Sequence, residues 1–444
     1  MINFLVKKST IGNIFFTLVV VLYYYQVRIV GAVGVGEIAM ILWLFTYIFQ
    51  NGLKVYTSEP TIRLLFIFTF LWLFGALFSD IYNNVPIIST IKLVFSVGVL
   101  FLLILFLTYR VKVSPTQTII LFYLAIALSI YFAFFFVTLE VYKAFLLTQD
   151  YETFYRGYFS YSLLYSVIAF IGLTWYFNLK KIAFLLSFLS IFLFLYLGSR
   201  SLALVFIGSS GILLYYFLRA KHQNNRISLL KSLSYFLLFL TCTLFVLFSV
   251  YKLIKIPAKE SSGLHSINLT IIEKSTGKLR NILMPRGSVV REKAEWSKKD
   301  DIPMYWDRKR FFQGVYAITQ KPLGYGSTYD PNDFTLIEDA NNFFNIPSLT
   351  TNEYVPDHSH IVGAALHSGV LALPFWLFMI YINLKLVLYN YAHTFASKFM
   401  MFIVPSSLSS LWAIFFSPFS DRILLAFSVS VYILIFTNTN RKNN

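Results

Sequence analysis

Residues 88–109 read ISTIKLVFSVGVLFLLILFLTY, and this run decides the fold class. An apolar stretch of about 20 residues crosses the hydrocarbon core of a bilayer as one α-helix. Further stretches of the same character occur along the chain. The predicted spans are 11–31, 36–53, 61–79, 88–109, 116–138, 158–177, 181–198, 200–218, 231–254, 360–383, 395–417 and 419–437. The sequence therefore predicts an all-α bundle of about twelve transmembrane helices.

The composition independently indicates a membrane protein. Of 444 residues, 57% are hydrophobic and 13% are charged, whereas soluble domains carry about 25% charged residues. The mean hydropathy is +0.68. These values exclude a soluble globular enzyme, a disordered chain and a nucleic-acid binder, despite a net charge of +17. The one cysteine, Cys242, can form neither an intramolecular disulfide nor a thiolate metal cluster.

Basic residues orient the predicted helices. Cytoplasmic connections of membrane proteins are enriched in Lys and Arg. If the N-terminus is cytoplasmic, alternate connections carry pairs such as Arg110 with Lys112 and Lys180 with Lys181, whereas the short outer connections carry few basic residues. This bias predicts a multi-pass protein with both termini in the cytoplasm.

One segment is long enough to form a domain outside the membrane. Residues 255–357 separate the predicted helices of 1–254 from those of 358–444, and they lie on the outer side of the predicted topology. Loops of this length are usually functional rather than simple tethers. We therefore expect the chemistry in this outer loop, and we expect the loop to be partly helical.

A short helix and a glycine turn are predicted near the end of this loop. Residues 311–319 form an apolar stretch that resembles a short amphipathic helix, and that helix would end at Lys321-Pro322. Gly324 and Gly326 follow, and glycine permits positive φ and close backbone approach. The turn is consistent either with a simple helix stop or with a nest of amides that cradles a phosphate. The sequence leaves both interpretations open.

A histidine follows the loop at the mouth of the tenth predicted helix. One helical face would contain His358, Val362, Ala365 and Gly369. The small residues on this face would let a neighbouring helix or a lipid chain approach closely. His358 is then either an interfacial polar residue or a general base that faces the aqueous side. His367 lies deeper, and we expect it to hydrogen-bond a neighbouring helix.

Four arginines are assigned to the outer side of the membrane: Arg156, Arg200, Arg308 and Arg310. Guanidinium groups match phosphate oxygens and stay charged at any relevant pH. The alternative is that each arginine snorkels to lipid head groups. Arg200 stands in a tight turn on the side that the positive-inside bias disfavours, and this favours a functional role. The loop has no Asp-x-Asp motif, so neither a metal nor a cofactor is predicted.

The order of these motifs resembles the bacterial O-antigen ligase and polymerase superfamily of integral membrane glycosyltransferases. The shared features are a Gly-Ser-Arg-Ser turn that opens a membrane helix, a long outer loop, a Pro-Leu-Gly-x-Gly turn, and a histidine followed eleven residues later by glycine. The matching positions are Arg200, Pro322, Gly324, Gly326, His358 and Gly369. Ser359 stands where the family commonly has Asn. The loop arginine of the family corresponds to Arg308, with Arg310 and Arg291 as alternatives.

The resemblance implies a reaction and its partners. Members of the superfamily use undecaprenyl-diphosphate-linked glycans as donors at the periplasmic face of the bacterial inner membrane. The arginines would stabilise the departing diphosphate, and a neutral His358 would deprotonate the acceptor hydroxyl. One displacement inverts the anomeric centre and requires no metal or cofactor. A ligase passes the glycan to the lipid A-core, whereas a polymerase passes it to another lipid-linked repeat.

Two other functions compete with that of a ligase. Polymerases of the superfamily often carry paired Arg-x10-Gly stretches. At that distance, Arg156, Arg308 and Arg310 are followed by Val167, Thr319 and Lys321, and the absence of glycine favours a ligase. A flippase or other transporter needs charges within its helices and spread over both halves of the chain. The candidate donor-binding charges are all assigned to the outer side, so transport is the weaker interpretation.

Overall fold

The computed structural model is helical in almost all of the residues that it describes. Those residues are 8–24, 26–28, 32–51, 59–128, 160–196, 200–221, 309–328, 339, 343, 359–389, 391, 394–416 and 422–441. One short hairpin interrupts the helices. The predicted α-helical membrane protein is thus confirmed in outline. The predicted span 231–254 and most of the loop 255–357 lie outside the described residues.

The helices largely match the predicted apolar runs. Up to residue 128 the elements are α1 (Lys8–Val21), β1 (Gln26–Arg28), β2 (Ala32–Gly34), α2 (Val35–Asn51), α3 (Pro60–Tyr82), α4 (Ile87–Val113) and α5 (Pro115–Leu128). The later elements are α6 (Ser160–Tyr176), α7 (Lys180–Tyr196), α8 (Arg200–Lys221), α9 (Lys309–Gln320), α10 (His360–Ser368), α11 (Leu373–Val387), α12 (Met400–Phe416) and α13 (Arg422–Arg441). Short 3₁₀ segments cover Leu22–Tyr24, Val370–Ala372 and Phe395–Phe399.

Four helical stretches among the described residues are long and apolar enough to cross a membrane. They are Pro60–Tyr82, Ile87–Val113, Val370–Val387 and Phe395–Phe416. Shorter apolar helices cover Gly12–Val21, Val35–Phe45, Pro115–Leu128, Leu163–Tyr176, Leu202–Tyr216 and Arg422–Phe436. The membrane-protein class is therefore confirmed, whereas the count of about twelve spans stays a prediction.

Helix α3 has the surface of a helix that faces lipid. Between 51% and 61% of each of the large side chains Phe66, Ile67, Phe70 and Phe74 is accessible. Such a set of exposed apolar side chains is unfavourable in water and suits hydrocarbon. On the buried side of α3, the Trp72 ring lies 5.1 Å from the ring of Phe375 in α11. α3 therefore separates a lipid-facing side from a side packed on other helices.

The first predicted span, 11–31, is shorter than expected. α1 ends at Val21, and the chain then reverses through the β1–β2 hairpin. This reversal lets α2 pack closely against the end of α1, where a Cβ on Gly36 would lie only 2.6 Å from the Tyr23 nitrogen. A straight helix over the whole run would lose this close approach of two backbones.

The tenth predicted span, 360–383, is two helices rather than one. α10 ends at Ser368, Gly369 has a φ of +71°, and α11 begins at Leu373. The prediction that Gly369 continues the helical face below His358 is therefore wrong. A Cβ on Gly369 would lie 2.6 Å from the carbonyl carbon of Leu323, so the chain breaks where the end of the long loop packs against it.

The chain divides into two compact units. The first comprises Met1–Ala133, Arg308–Leu388 and Ser409–Asn444, and the second comprises Phe134–Asp307 and Tyr389–Leu408. In the first unit, α5 packs on α13 through the stacked rings of Phe122 and Phe427, 3.9 Å apart. In the second unit, α7 packs on α8 through Phe194 and Phe206, whose ring centroids are 5.3 Å apart.

Candidate functional site

Helix α9 belongs to the long loop and packs on α10. It covers Lys309–Gln320 and confirms the helix predicted there. Its apolar face contributes Ala317, which forms a buried cluster with Val362 and Leu366 of α10. The loop helix is thus attached to the helix that begins two residues after His358.

The chain turns sharply after α9. The Gly324 N–H donates to the Lys321 carbonyl at 2.9 Å, and Gly324 and Gly326 have φ values of +88° and +85°. A Cβ on Gly324 would lie 2.6 Å from the Gly369 nitrogen. The predicted positive φ is therefore confirmed for both glycines, and the predicted close backbone approach is confirmed for Gly324.

Backbone hydrogen bonds join this turn to α10 and to the break that follows it. The Tyr325 N–H donates to the Leu366 carbonyl at 2.7 Å. The Val370 N–H donates to the Pro322 carbonyl at 2.9 Å. These bonds fill backbone positions that the end of a helix otherwise leaves unpaired. The turn therefore completes the end of α10, and the break between α10 and α11 depends on it.

His367 also approaches the turn. The sequence predicts a hydrogen bond to a neighbouring helix, and this stays a prediction. The structure places the Nδ1 atom 3.2 Å from the Gly326 carbonyl oxygen. Because a carbonyl oxygen only accepts, a hydrogen bond here requires the proton on Nδ1. His367 thus contributes to fastening the loop onto α10.

The C-terminal end of α3 also binds the turn. The Ser79 hydroxyl accepts from the Gly326 N–H at 3.0 Å. The Asp80 carboxylate accepts from the N–H and the hydroxyl of Ser327 at 2.6 Å and 2.8 Å, and Asp80 is only 2% exposed. Neither Ser79 nor Asp80 was predicted from the sequence. The signal that marks them is a Ser-Asp pair at the end of the apolar run 61–79.

Asn83 and Lys321 form the edge of this contact. Asn83 Nδ2 donates to the Gly324 carbonyl at 3.1 Å, and its Oδ1 accepts from the Lys321 ammonium group. The same ammonium group lies 5.6 Å and 5.2 Å from the ring centroids of Tyr82 and Tyr325. Both distances are within the range of cation–π attraction. Lys321 therefore links α3 to the loop through an amide and two aromatic rings.

The turn is not a phosphate nest in this conformation. The backbone N–H groups of Gly324, Tyr325, Gly326 and Ser327 all donate to acceptors within the protein. A nest needs N–H groups that converge on the anion instead. Of the two interpretations of the turn, the helix stop is the one that the structure supports.

Ser359 begins α10 and ties it to α12. Its hydroxyl accepts from the Val362 N–H at 3.3 Å and donates to the Ile414 carbonyl at 2.9 Å. The bond from Val362 is that of a helix N-cap, and the bond to Ile414 uses the hydroxyl proton of Ser359. The next residue, His360, is buried, and its ring stacks on Trp376 at a centroid distance of 5.3 Å. Ser359 and His360 thus fix the start of the helix.

The first turns of α9 and α10 lie at the same end of their packed pair. Phe311, in the first turn of α9, has its ring centroid 6.2 Å from that of Phe416 at the end of α12. The start of α10 is tied to the same end of α12 through Ser359 and Ile414. The starts of α9 and α10 are therefore both in contact with the C-terminal end of α12.

This arrangement brings together two of the predicted site segments. Arg310 lies in the first turn of α9, and His358 lies two residues before α10. Arg200 begins α8, in the second unit. Outside the described residues lie His358, Arg156 and Arg308, and also the side chains of Arg200 and Arg310.

Neither a protein-family model, a curated protein nor a solved structure matches this chain. Within the part of the chain that the structure describes, no three His, Cys, Asp or Glu side chains are grouped so that they could hold a metal ion. The resemblance to the ligase and polymerase superfamily therefore rests on the order and spacing of the motifs.

Proposed function

We propose that this protein is a membrane glycosyltransferase of the O-antigen ligase type. It transfers an undecaprenyl-diphosphate-linked glycan to the lipid A-core at the periplasmic face of the bacterial inner membrane. The proposal is supported above all by the meeting of α9 and α10 at the end of α12. Because of this packing, α9, which contains Arg310, lies against α10, which begins two residues after His358. The resemblance assigns diphosphate binding to the first segment and catalysis to the second.

The two ends of α3 support the sidedness of the site. At its start, Glu59 pairs with Lys112 at 2.5 Å, and at its end Asp80 binds the loop turn. A helix of 23 residues is about 35 Å long, which is enough to place these two contacts on opposite faces of a membrane. Together with the basic bias of the sequence, this favours a cytoplasmic Lys112 and a periplasmic loop turn.

Reporter fusions test this sidedness. A fusion after residue 224 is expected to give a cytoplasmic signal and a fusion after residue 330 a periplasmic signal, because an odd number of predicted spans separates them. A fusion after Asn84 is the matched control. It should agree with the fusion after residue 330, since the adjacent Asn83 touches the loop turn. Signals from the same side at 224 and 330 would contradict the topology.

The reaction consists of one proton transfer and one displacement. A neutral His358 removes the proton of the acceptor hydroxyl, and the resulting oxygen nucleophile attacks the anomeric carbon. The bond between that carbon and the diphosphate oxygen breaks, so the configuration inverts. The leaving undecaprenyl diphosphate takes the bonding electrons. Its charge is stabilised by the guanidinium groups of Arg200, Arg308, Arg310 and Arg156.

Purified protein in detergent gives the direct test of the function. With the glycan donor and lipid A-core it is expected to form product in the presence of a chelator and without nucleotide, because the donor already carries a good leaving group. A second arm offers a lipid-linked repeat as the acceptor, and product in this arm alone would make the protein a polymerase. Movement of the donor across vesicles, with no glycosidic bond formed in either arm, would overturn the proposal in favour of transport.

A further inference from the structure

The buried carboxylate of Asp80 faces the loop turn. Both of its oxygens accept from Ser327, which lies 247 residues later in the chain. Burial of a carboxylate is costly unless hydrogen bonds compensate for the lost water. The N–H and O–H groups of Ser327 supply those hydrogen bonds. A residue of the loop therefore pairs the buried carboxylate of helix α3.

Asp80 is part of a set of bonds that runs along the turn. The pairs are Asn83 with Gly324, Ser79 with Gly326, and Asp80 with Ser327. α10 and the break after it also bind this turn. The position of the turn is therefore determined by α3 and α10 together.

We propose that Asp80 and Asn83 are positioning residues of the transferase. By fixing the turn, they fix the C-terminal end of α9, a helix of 12 residues with Arg310 in its first turn. A helix of that length is about 18 Å long, so a shift at one end displaces the other. This inference rests on the proposed function, because the place of Arg310 matters to the reaction only if it binds the donor diphosphate.

The chemistry of position 80 allows a sharp comparison of two variants. In Asp80→Asn, the amide oxygen still accepts from the Ser327 N–H, and the amide nitrogen donates to the Ser327 hydroxyl, which then acts as the acceptor. Asp80→Ala loses both bonds. Because Asn cannot exchange a proton, the pair also separates positioning from acid–base chemistry.

We expect Asp80→Ala to raise the KM for the lipid donor about tenfold, which is the effect of weakening one charge-assisted contact. Asp80→Asn should stay close to the parent protein. A loss of folded enzyme would lower the apparent kcat but leave KM unchanged, so KM distinguishes a displaced α9 from a damaged fold. Asn83→Ala should act in the same direction and replaces Asp80→Ala if the latter fails to fold. Matched controls are the exposed residues Asp339 and Asn84, tested as Asp339→Asn and Asn84→Gly.

Hydrogen–deuterium exchange of the purified variants tests the contact without any glycan. In Asp80→Ala, the amides of residues 314–327 should exchange at least about tenfold faster, while those of α4 keep the parental rate. If this is observed but the parent transfers no glycan, the contact is retained and the proposed function fails. Parental exchange and parental KM in Asp80→Ala would overturn the inference. Loss of activity in Asp80→Asn with parental exchange would also overturn it, because that result assigns Asp80 to the chemistry.

Discussion

Replacing His358 by Ala is expected to reduce glycan transfer about 10²- to 10⁴-fold, the usual contribution of a general base. The acceptor hydroxyl is a poor nucleophile until its proton is removed, and alanine cannot remove it. The measurement is product formation by equal amounts of purified parent and variant, with donor and acceptor both saturating. The variant should reach the membrane in parental amounts, since the buried cluster that joins α9 to α10 consists of Ala317, Val362 and Leu366, which the change leaves in place.

Two neighbouring histidines provide the controls. His360→Phe keeps an aromatic ring to stack on Trp376, so most activity should survive. His367→Asn keeps a nitrogen donor for the Gly326 carbonyl and should behave in the same way. Parental activity in His358→Ala would remove the general-base assignment. A loss confined to His360→Phe would transfer that assignment to His360.

Replacing Gly324 by Ala is expected to detach the loop turn and to abolish activity. At a φ of +88°, an alanine has the left-handed strain of about 1–2 kcal/mol that glycine avoids. Its Cβ would also lie 2.6 Å from the Gly369 nitrogen and 2.7 Å from Ser79 Oγ, closer than real Cβ atoms approach other atoms. The free energy of unfolding should fall by at least about 2 kcal/mol. The thermal unfolding midpoint and the transfer rate of the purified variant measure both effects.

Gly98→Ala is the matched control for this substitution. Gly98 lies inside α4, and a Cβ there would meet no atom within 4 Å. Alanine is favoured over glycine in a helix interior by up to about 1 kcal/mol, so the unfolding midpoint should stay the same or rise. If Gly324→Ala behaves like Gly98→Ala, the geometry of the turn does not govern the site.

Hydropathy predicted the apolar helices of the described residues well because it is a local property. The run 61–79 corresponds to Pro60–Tyr82, and the run 88–109 corresponds to Ile87–Val113. The helix α9 and the turn after it were also predicted, since Lys321-Pro322 and the two following glycines give local stop signals. These parts of the candidate site could be read from a few neighbouring residues.

The break at Gly369 and the role of Asp80 could not be predicted in this way. Gly369 stands in an apolar run, and the residue that leaves no room for a Cβ there is Leu323, which is 46 positions away in the sequence. Asp80 at the end of an apolar run resembles a solvated helix end, whereas in the structure it is buried and bound to Ser327. Contacts over 247 residues leave no local periodicity or spacing that a single sequence displays.

The contact between Asn83 and Gly324 joins residues 241 positions apart, and it has a consequence for biogenesis. During synthesis the end of α3 is made early. Its partner in the loop turn, Gly324, is made only after another 240 residues have been added. The turn is made next, but its bonds to the Leu366 carbonyl and the Val370 N–H form only once α10 and the break after it have been made. A chain that ends before residue 366 therefore lacks both of these bonds. The turn reaches its full set of contacts only after residue 370 has been made, so this part of the fold forms late in synthesis.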